Sequence, residues 1–442
     1  MIELSITNSP SQMTTKQQRL FPVLASLLLS LVGAIVALEV GLRHFYQLIP
    51  LDVCAADNIL AAYYCQPYFV YDKPIRIGYR YEPNMHIETW WNPADPHFAA
   101  AADATAPSDR NDSFWYVFET DEMGFPNNES KWRDLYDIIV TGDSFVTRFS
   151  PQTWIELLGA QTGKSILTLG ASSWSTLNEA EAVKLYGLDK DPSWVILLYF
   201  EGNDLLNTMQ YMERRDSGLD WREYDMQDVA WYRRLVMYHM AQYWLGATKM
   251  EEVVETDSHA YRYPITYSTE QGDIPTVLKD IHLLPMSADY DTLARSDDFA
   301  HTSNALLELR DLVEAQGARL LVVFVPSKEH IVWSRVWGTK DVNNILEHTV
   351  TVTLSEGEHG ALVWKPRYLD YNTFTTNHNA QERLFVDFAQ ANDIELLNLT
   401  PDFWQKTIEE GELYNYADPH WNQVGNQLAA DLIANYITMA GE

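Results

Sequence analysis

Short apolar runs alternate with longer amphipathic segments from Tyr136 to the end of the chain. The runs have the length and continuous apolar character of buried parallel strands, and they read YDIIVTG (136–142), KSILTLG (164–170), WVILLYF (194–200), ARLLVVFVP (318–326) and IELLNLT (394–400). The segments between and after them are predicted helices, at 153–163, 175–188, 303–317, 380–393 and 422–437. This alternation predicts an α/β fold in which helices cover both faces of a parallel sheet.

A second pattern, apolar and without any charge, occupies residues 20–38. A helix of that length can cross a hydrocarbon core of about 30 Å, so we predict a transmembrane anchor at 20–42 and a cytoplasmic tail at 1–19. Lys16 and Arg19 precede the span and Arg43 follows it, which favours a cytoplasmic N-terminus and places the rest of the chain outside. A cleaved signal peptide is the alternative, although its apolar region is usually shorter and ends at a small-x-small site.

Residues 46–131 are rich in Tyr, Trp, Pro and Asn, and we interpret them as a juxtamembrane extension. They contain the two cysteines of the chain, Cys54 and Cys65. These two can form a disulfide outside the cytoplasm, but two unpaired thiols fit the spacing equally well. Residues 132–442 are predicted to form the main domain, with an acidic and aromatic insertion at about 205–300. Within it, 229–246 has the pattern of an amphipathic helix that packs on the core or faces the membrane, and its aromatic residues are alternatively a platform for sugars.

Composition and charge disfavour several classes of function. The chain of 442 residues has 62 Asp and Glu against 31 Lys and Arg, a formal net charge of −31, which disfavours nucleic acid as a partner. No CxxC, HExxH or Cys/His cluster indicates a metal site, and we expect no cofactor.

Three polar motifs fall where a parallel sheet brings chain segments to one edge. Ser144 in GDSF (142–145) follows the first strand, and Asn203 in GND (202–204) follows the third, where its amide can donate to a developing oxyanion. Asp418 and His420 precede the last helix, so His420 can act as a base that Asp418 orients. Each motif alone is typical of a turn, a cap or a surface pair. Together they supply a nucleophile, a base, an orienting group and an oxyanion donor.

The order GDSF, a Gly/Ser-rich turn (LGASSWS, 169–175), GND and Asp-x-His resembles the SGNH hydrolase superfamily, also called GDSL-like esterases, over residues 132–204 and 300–442. That resemblance implies a flavodoxin-like three-layer α/β/α fold, with Ser144 as nucleophile, His420 as base and Asp418 behind it. It also implies three oxyanion donors: the Ser144 N–H, the Asn203 amide and a backbone N–H at Ser173, where the family usually has glycine. The single residue between Asp418 and His420 is similar to membrane-linked members of the family.

Two further segments are similar to the membrane-anchored branch, namely GYRYEPN (78–84) and PSKEHIVW (326–333). In the second, we interpret Lys328 as a solvated lysine at a strand end, with a substrate contact as the alternative.

We therefore expect an extracytoplasmic serine esterase, anchored by one N-terminal helix, that acts on acyl esters, acetyl esters above all, with an exported glycan as one substrate class. The alternatives are an O-acyltransferase that modifies an exported polysaccharide, and a catalytically silent binding or structural subunit of a membrane assembly. Protein partners are left open.

Overall fold

The computed structural model describes residues 15–45, 49, 69–73, 75–91, 114–128, 131–245, 262–283, 285–336, 351–354, 362–365, 371–416 and 418–440. The chain divides into two compact units. The smaller unit holds Met1–Pro67 and Asp228–Met250, and the larger holds Tyr68–Gln227 and Glu251–Glu442.

The described strands are numbered along the chain: β1 (Phe69–Tyr71), β2 (Tyr79–Tyr81), β3 (His86–Trp91), β4 (Phe114–Glu119), β5 (Ile138–Gly142), β6 (Ile166–Gly170), β7 (Trp194–Phe200), β8 (Arg262–Thr269), β9 (Gly272–Lys279), β10 (Arg319–Val325), β11 (Thr351–Leu354), β12 (Leu362–Lys365) and β13 (Glu395–Asn398). The described α-helices are α1 (Thr15–His44), α2 (Trp154–Thr162), α3 (Thr176–Ala182), α4 (Asp204–Ser217), α5 (Trp221–Met226), α6 (Val236–Trp244), α7 (Asp280–Leu283), α8 (Tyr290–Ala294), α9 (Asp297–Ala315), α10 (Lys328–Trp333), α11 (Tyr371–Asn377), α12 (Ala380–Ala391), α13 (Thr400–Glu410) and α14 (Gln423–Met439). Short 3₁₀ helices lie at Ser144–Val146, Leu188–Lys190, Trp231–Arg234 and Pro285–Ser287, and a π-helix at Val183–Gly187.

The larger unit is built on a five-stranded parallel sheet in the order β13-β10-β7-β5-β6. Its first strand along the chain, β5, therefore lies between the second and the third, which is the flavodoxin-like order. All five strands were predicted from their apolar runs, and β7 was predicted to the residue. Four separate two-stranded antiparallel sheets are also described: β1-β2, β3-β4, β8-β9 and β11-β12.

Helices cover both faces of this sheet, because side chains alternate along each strand. On β7, Val195 and Leu197 belong to one apolar cluster and Ile196 and Leu198 to the other. Helices α3, α9 and α12 supply the first cluster, and α2, α13 and α14 supply the second. The predicted three-layer α/β/α fold is confirmed.

The predicted insertion at 205–300 contains more regular structure than its composition suggested. Helix α9 begins at Asp297, not at 303, because Ser296 caps it by accepting the Phe299 N–H at 3.1 Å and two aspartates lie in its first turn. The β8–β9 hairpin within this range was not predicted. The predicted helix at 175–188 is α-helical only to Ala182 and then widens into the π-helix.

The smaller unit contains α1, the 3₁₀ helix at Trp231–Arg234 and α6. Helix α1 is longer than the predicted anchor, and its residues 22–44 are apolar enough and long enough to cross a membrane. A signal sequence passes the same test. Cys54, Cys65 and residues 1–14 lie outside the described residues, so the disulfide stays a prediction.

Candidate active site

The turn after β5 presents Ser144 at the carboxyl edge of the sheet. Asp143 caps the 3₁₀ helix at Ser144–Val146, since its Oδ1 accepts the Phe145 N–H at 3.0 Å. The Ser144 hydroxyl lies 3.3 Å from Asp143 Oδ2. The turn fits closely against β6: a Cβ at Gly170 would lie 2.4 Å from the carbonyl oxygen of Gly142 and 2.4 Å from the Val146 side chain. The glycine at the end of β6 is therefore required for this approach.

The loop before α14 brings His420 to Ser144. His420 Nε2 lies 2.7 Å from Ser144 Oγ, and Nδ1 lies 2.5 Å from Asp418 Oδ1. The same Asp418 oxygen accepts the His420 backbone N–H at 2.9 Å, so side chain and backbone are oriented together. The structure thus brings together the three side chains that the sequence placed at one edge.

An aromatic ring that the sequence did not single out covers the imidazole. Phe149 stacks on His420 with 3.7 Å between ring centroids and an interplanar angle of 3°. Phe145 lies at 4.9 Å from the same ring. His420 is therefore fixed by stacking on its face and by hydrogen bonds at its two nitrogens. An aromatic residue five positions after the serine was the only available signal in the sequence.

Lys328 is buried against the loop that carries His420 and donates hydrogen bonds to it. Our interpretation of Lys328 as a solvated lysine or a substrate contact was wrong. Its side chain is 2% exposed, and Nζ donates to the carbonyl oxygens of Asn415 (3.1 Å), Tyr416 (2.9 Å) and Asp418 (3.2 Å). Lys328 begins α10 directly after β10, which buries it under the loop. Asn415 closes the loop from the other side by donating Nδ2 to the carbonyl oxygens of Phe149 and His420.

The electrostatics of the loop favour an ionised Asp418. Burial would raise the pKa of this carboxyl, but the hydrogen-bonded His420 and the nearby Lys279 hold the pKa of Asp418 well below its usual range. Lys279 Nζ lies 4.0 Å from Asp418 Oδ2. Burial lowers the pKa of Lys328 to about 8. An ionised Asp418 is the form that accepts the Nδ1 proton of the imidazole.

Ser173 and Asn203 lie in the turns that follow β6 and β7, the two strands on either side of β5. Ser173 has a φ of +62°, a left-handed conformation that glycine adopts more readily than serine. Asn203 is the N-cap residue of α4, and its Oδ1 is buried without a hydrogen-bond partner among the described residues. Both therefore lie at the same sheet edge as Ser144.

Strand β2, within the GYRYEPN segment, fixes the turn that carries Ser173. The Tyr79 hydroxyl donates to the Ser172 carbonyl oxygen, and the Tyr81 hydroxyl lies 3.0 Å from Ser172 Oγ. Trp174 Nε1 donates to the Tyr79 carbonyl oxygen at 3.0 Å. The tyrosines are buried, and they hold the turn in its left-handed conformation from outside the sheet.

Three buried carboxyl groups, Asp143, Glu179 and Asp204, lie behind the nucleophile turn. Burial, followed by repulsion from Asp143, raises the pKa of Glu179 well above its usual value, and burial with repulsion from Glu179 does the same for Asp204. Both Glu179 oxygens lack a hydrogen-bond partner among the described residues. Protonation removes the repulsion between them. Within the described part of the chain, no group of three or more His, Cys, Asp or Glu residues has the arrangement of a metal site.

Comparison with solved structures gives matches at about 10% sequence identity. Scans of protein-family models and of curated proteins return no match. An acetyl xylan esterase structure is 10% identical, covering 68% of this chain and 99% of its own, with a TM-score of 0.30. A GDSL-like lipase from Bacteroides thetaiotaomicron is 10% identical (69% and 88% covered, TM-score 0.29), and a lipase/acylhydrolase from Enterococcus faecalis is 10% identical (69% and 96% covered, TM-score 0.29). Scores near 0.3 are too low to carry a conclusion about this chain.

The strand order and the contacts at the sheet edge define a class on their own: an α/β/α protein with a serine, a histidine and an aspartate in hydrogen-bond sequence at the carboxyl ends of its strands. The predicted flavodoxin-like strand order and the predicted order of the motifs along the sheet edge are both present.

Proposed function

We propose that this chain is an extracytoplasmic serine esterase that uses Ser144, His420 and Asp418. One observation carries the proposal, namely the continuous contact from Asp418 Oδ1 through the imidazole to Ser144 Oγ, at 2.5 and 2.7 Å. Those distances suit proton transfer from a serine hydroxyl to a histidine base.

In the proposed reaction, Ser144 Oγ attacks the ester carbonyl while His420 Nε2 takes the hydroxyl proton. Asp418 stabilises the imidazolium, and the stacked Phe149 face adds to that stabilisation. The carbonyl oxygen becomes an oxyanion that accepts from the Ser144 N–H, the Ser173 N–H and the Asn203 amide; loss of one such donor typically lowers turnover by about 10²–10³-fold. The imidazolium returns the proton to the leaving alcohol, and water then releases the acyl group by the same steps.

The space beside Ser144 supports a small acyl group such as acetyl. The cavity there has a volume of about 10 Å³, room for about one water molecule, with Phe149 and Trp421 among its walls. A second cavity of about 440 Å³ shares Thr147 with it. Its polar walls support an alcohol portion rich in hydroxyl groups, such as a glycan, and include Asn127, Asn128, Arg148, Glu156 and Lys164.

The membrane placement is a part of the proposal with its own support. Residues 22–44 of α1 are long enough and apolar enough to span, and Lys16 and Arg19 precede this stretch. Protease treatment of spheroplasts tests the orientation: digestion of the larger unit without lysis is expected. Protection of it until lysis would contradict the extracytoplasmic assignment.

Labelling of the full chain with a fluorophosphonate tests the chemistry. Wild type is expected to react at Ser144, Ser144→Ala not at all, and His420→Ala far more slowly. Turnover of p-nitrophenyl acetate is expected to exceed that of the butyrate and octanoate esters, because the cavity is small. A folded wild-type protein without Ser144-dependent labelling would refute the enzyme and leave the silent module.

Hydrolysis and acyl transfer use the same residues in this mechanism, so substitutions cannot distinguish the two reactions. Analysis of the products can, because the acyl group ends on water in one reaction and on a sugar hydroxyl in the other. Incubation of the acetyl ester with a glucosamine oligosaccharide is expected to yield free acetate. Mass spectrometry that finds the acetyl group on the sugar instead would assign the O-acyltransferase function.

A further inference from the structure

Helix α1 carries a carboxylate, Glu39, near the end of its apolar stretch. The N-terminus of a second helix donates hydrogen bonds to this carboxylate. Glu39 is 8% exposed, and its two oxygens accept the backbone N–H groups of Val236 and Met237, each at 3.0 Å. Arg43 Nε donates to the same carboxylate at 2.7 Å. Val236 and Met237 begin α6, and a helix N-terminus is a favourable partner for a carboxylate. Helix α6 is therefore fixed on the last turns of α1.

One face of α6 is buried within this small unit. Val236, His239 and Met240 are buried, at a spacing that places them on a single helix face. His239 Nε2 lies 2.7 Å from the Arg233 carbonyl oxygen, which ties α6 to the 3₁₀ helix before it. Residues 231–245 are thus one ordered element attached to α1, which we name the collar.

The collar exposes large aromatic and apolar side chains at both ends. Trp231 is 74% exposed, Tyr232 43%, Trp244 69% and Leu245 79%. Exposed rings of this size are costly in water, and tryptophan and tyrosine concentrate where a bilayer meets water. Large apolar side chains are also exposed along α1 from Val23 to Val40, so the two surfaces belong to one attached body.

We propose that the collar is a second membrane-contacting element, which lies in the headgroup region of a phospholipid bilayer at the end of α1. The bilayer is the occupant that the continuity with α1 favours, because a spanning α1 holds α6 at the level where it leaves the hydrocarbon. Trp231, Tyr232 and Trp244 then anchor the depth and rotation of α1. The proposal requires α1 to be retained, and it is independent of the chemistry at Ser144.

Fluorescence of the full chain in phosphatidylcholine vesicles tests this. The chain has 15 tryptophans, so the contribution of the collar is obtained by subtracting the emission of a Trp231→Phe/Trp244→Phe double variant from that of wild type. The expected result is loss of most of this difference emission with lipids brominated near the headgroup, and little quenching by aqueous acrylamide. Trp154, 1% exposed in the larger unit, is the control: the difference from Trp154→Phe is expected to resist both quenchers.

Three results would overturn the proposal. Quenching of the collar by acrylamide but not by brominated lipid would place it in water, and resistance to both would indicate a protein partner. A mature N-terminus after α1, found by mass spectrometry, would also end it. The double variant is expected to keep full fluorophosphonate labelling at Ser144, which separates failure here from failure of the proposed esterase.

Discussion

Replacing Lys328 by methionine tests whether the support below the His420 loop matters for turnover. Methionine keeps an unbranched apolar side chain of similar length but removes the ammonium. The carbonyl oxygens of Asn415, Tyr416 and Asp418 then lose their common donor. The loop that carries His420 then lacks the hydrogen bonds that fix its position relative to Ser144.

Two energies of similar size oppose each other in this substitution. Hydrogen bonds to a charged donor contribute about 1.5–3 kcal/mol each, so three of them exceed about 4 kcal/mol in total. Against this, burial lowers the pKa of Lys328 from 10.5 to about 8, which corresponds to about 3 kcal/mol of cost for the buried charge. Methionine removes both, so the free energy of unfolding is expected to fall by about 1.5–6 kcal/mol. Turnover is expected to fall by about 10–100-fold, because misplacing a catalytic group by 1 Å can have an effect of that size.

The assay is kcat and KM for p-nitrophenyl acetate in detergent, alongside thermal unfolding of the same samples. We expect kcat to fall with KM nearly unchanged. Lys406→Met is the matched control, since Lys406 pairs with Glu410 on the surface of α13, and it is expected to behave as wild type. Wild-type kcat in Lys328→Met would refute the positioning role. Loss of the folded state would show that the energies do not offset.

Two further predictions concern the residues around the nucleophile turn. Phe149→Leu removes the ring that stacks on His420, and kcat for p-nitrophenyl acetate is expected to fall about 2–10-fold, while Phe149→Tyr keeps the ring and the rate; equal rates in all three proteins would contradict this. Glu179→Gln is expected to raise the melting temperature increasingly as pH rises above the ordinary glutamate pKa of 4.5. A carboxyl whose pKa is raised by folding loses stability once the unfolded form ionises, whereas the amide does not titrate. The exposed Glu314→Gln should show no such trend in calorimetry, and a pH-independent gain at Glu179 would refute the reasoning.

The sheet could be predicted because its strands are continuous apolar runs that differ from everything around them. WVILLYF and ARLLVVFVP are buried on both faces, so sequence and burial match directly. The start of α9 was harder to predict. Asp297 and Asp298 indicate an acidic loop by composition, and they indicate a helix start only by their position. In the hairpin β8–β9, buried Ile265 and Tyr267 alternate with exposed residues, but this run is too short to stand out within the acidic and aromatic stretch.

The contact between Ser144 and His420 could be predicted because motif order and parallel topology together place both at one edge. The residues that position Ser144 and His420 could not be predicted from the sequence. Lys328 stands after a strand, where a solvated lysine is the common case, and its three acceptors come from a loop almost ninety positions later. Phe149 and Asn415 similarly act through neighbours that only the folded chain supplies.

Because the two tyrosines of β2 contact the turn that carries Ser173, the functional domain begins before the first strand of the parallel sheet. A chain cut between Glu119 and Tyr136 would retain all five parallel strands, the serine turn and the histidine loop. It would lack the phenol groups of Tyr79 and Tyr81 that keep Ser173 in a conformation costly for any side chain larger than hydrogen. Under the proposed mechanism, such a fragment would leave the carbonyl of a bound ester short of one donor, so the smallest active piece of the chain includes β2.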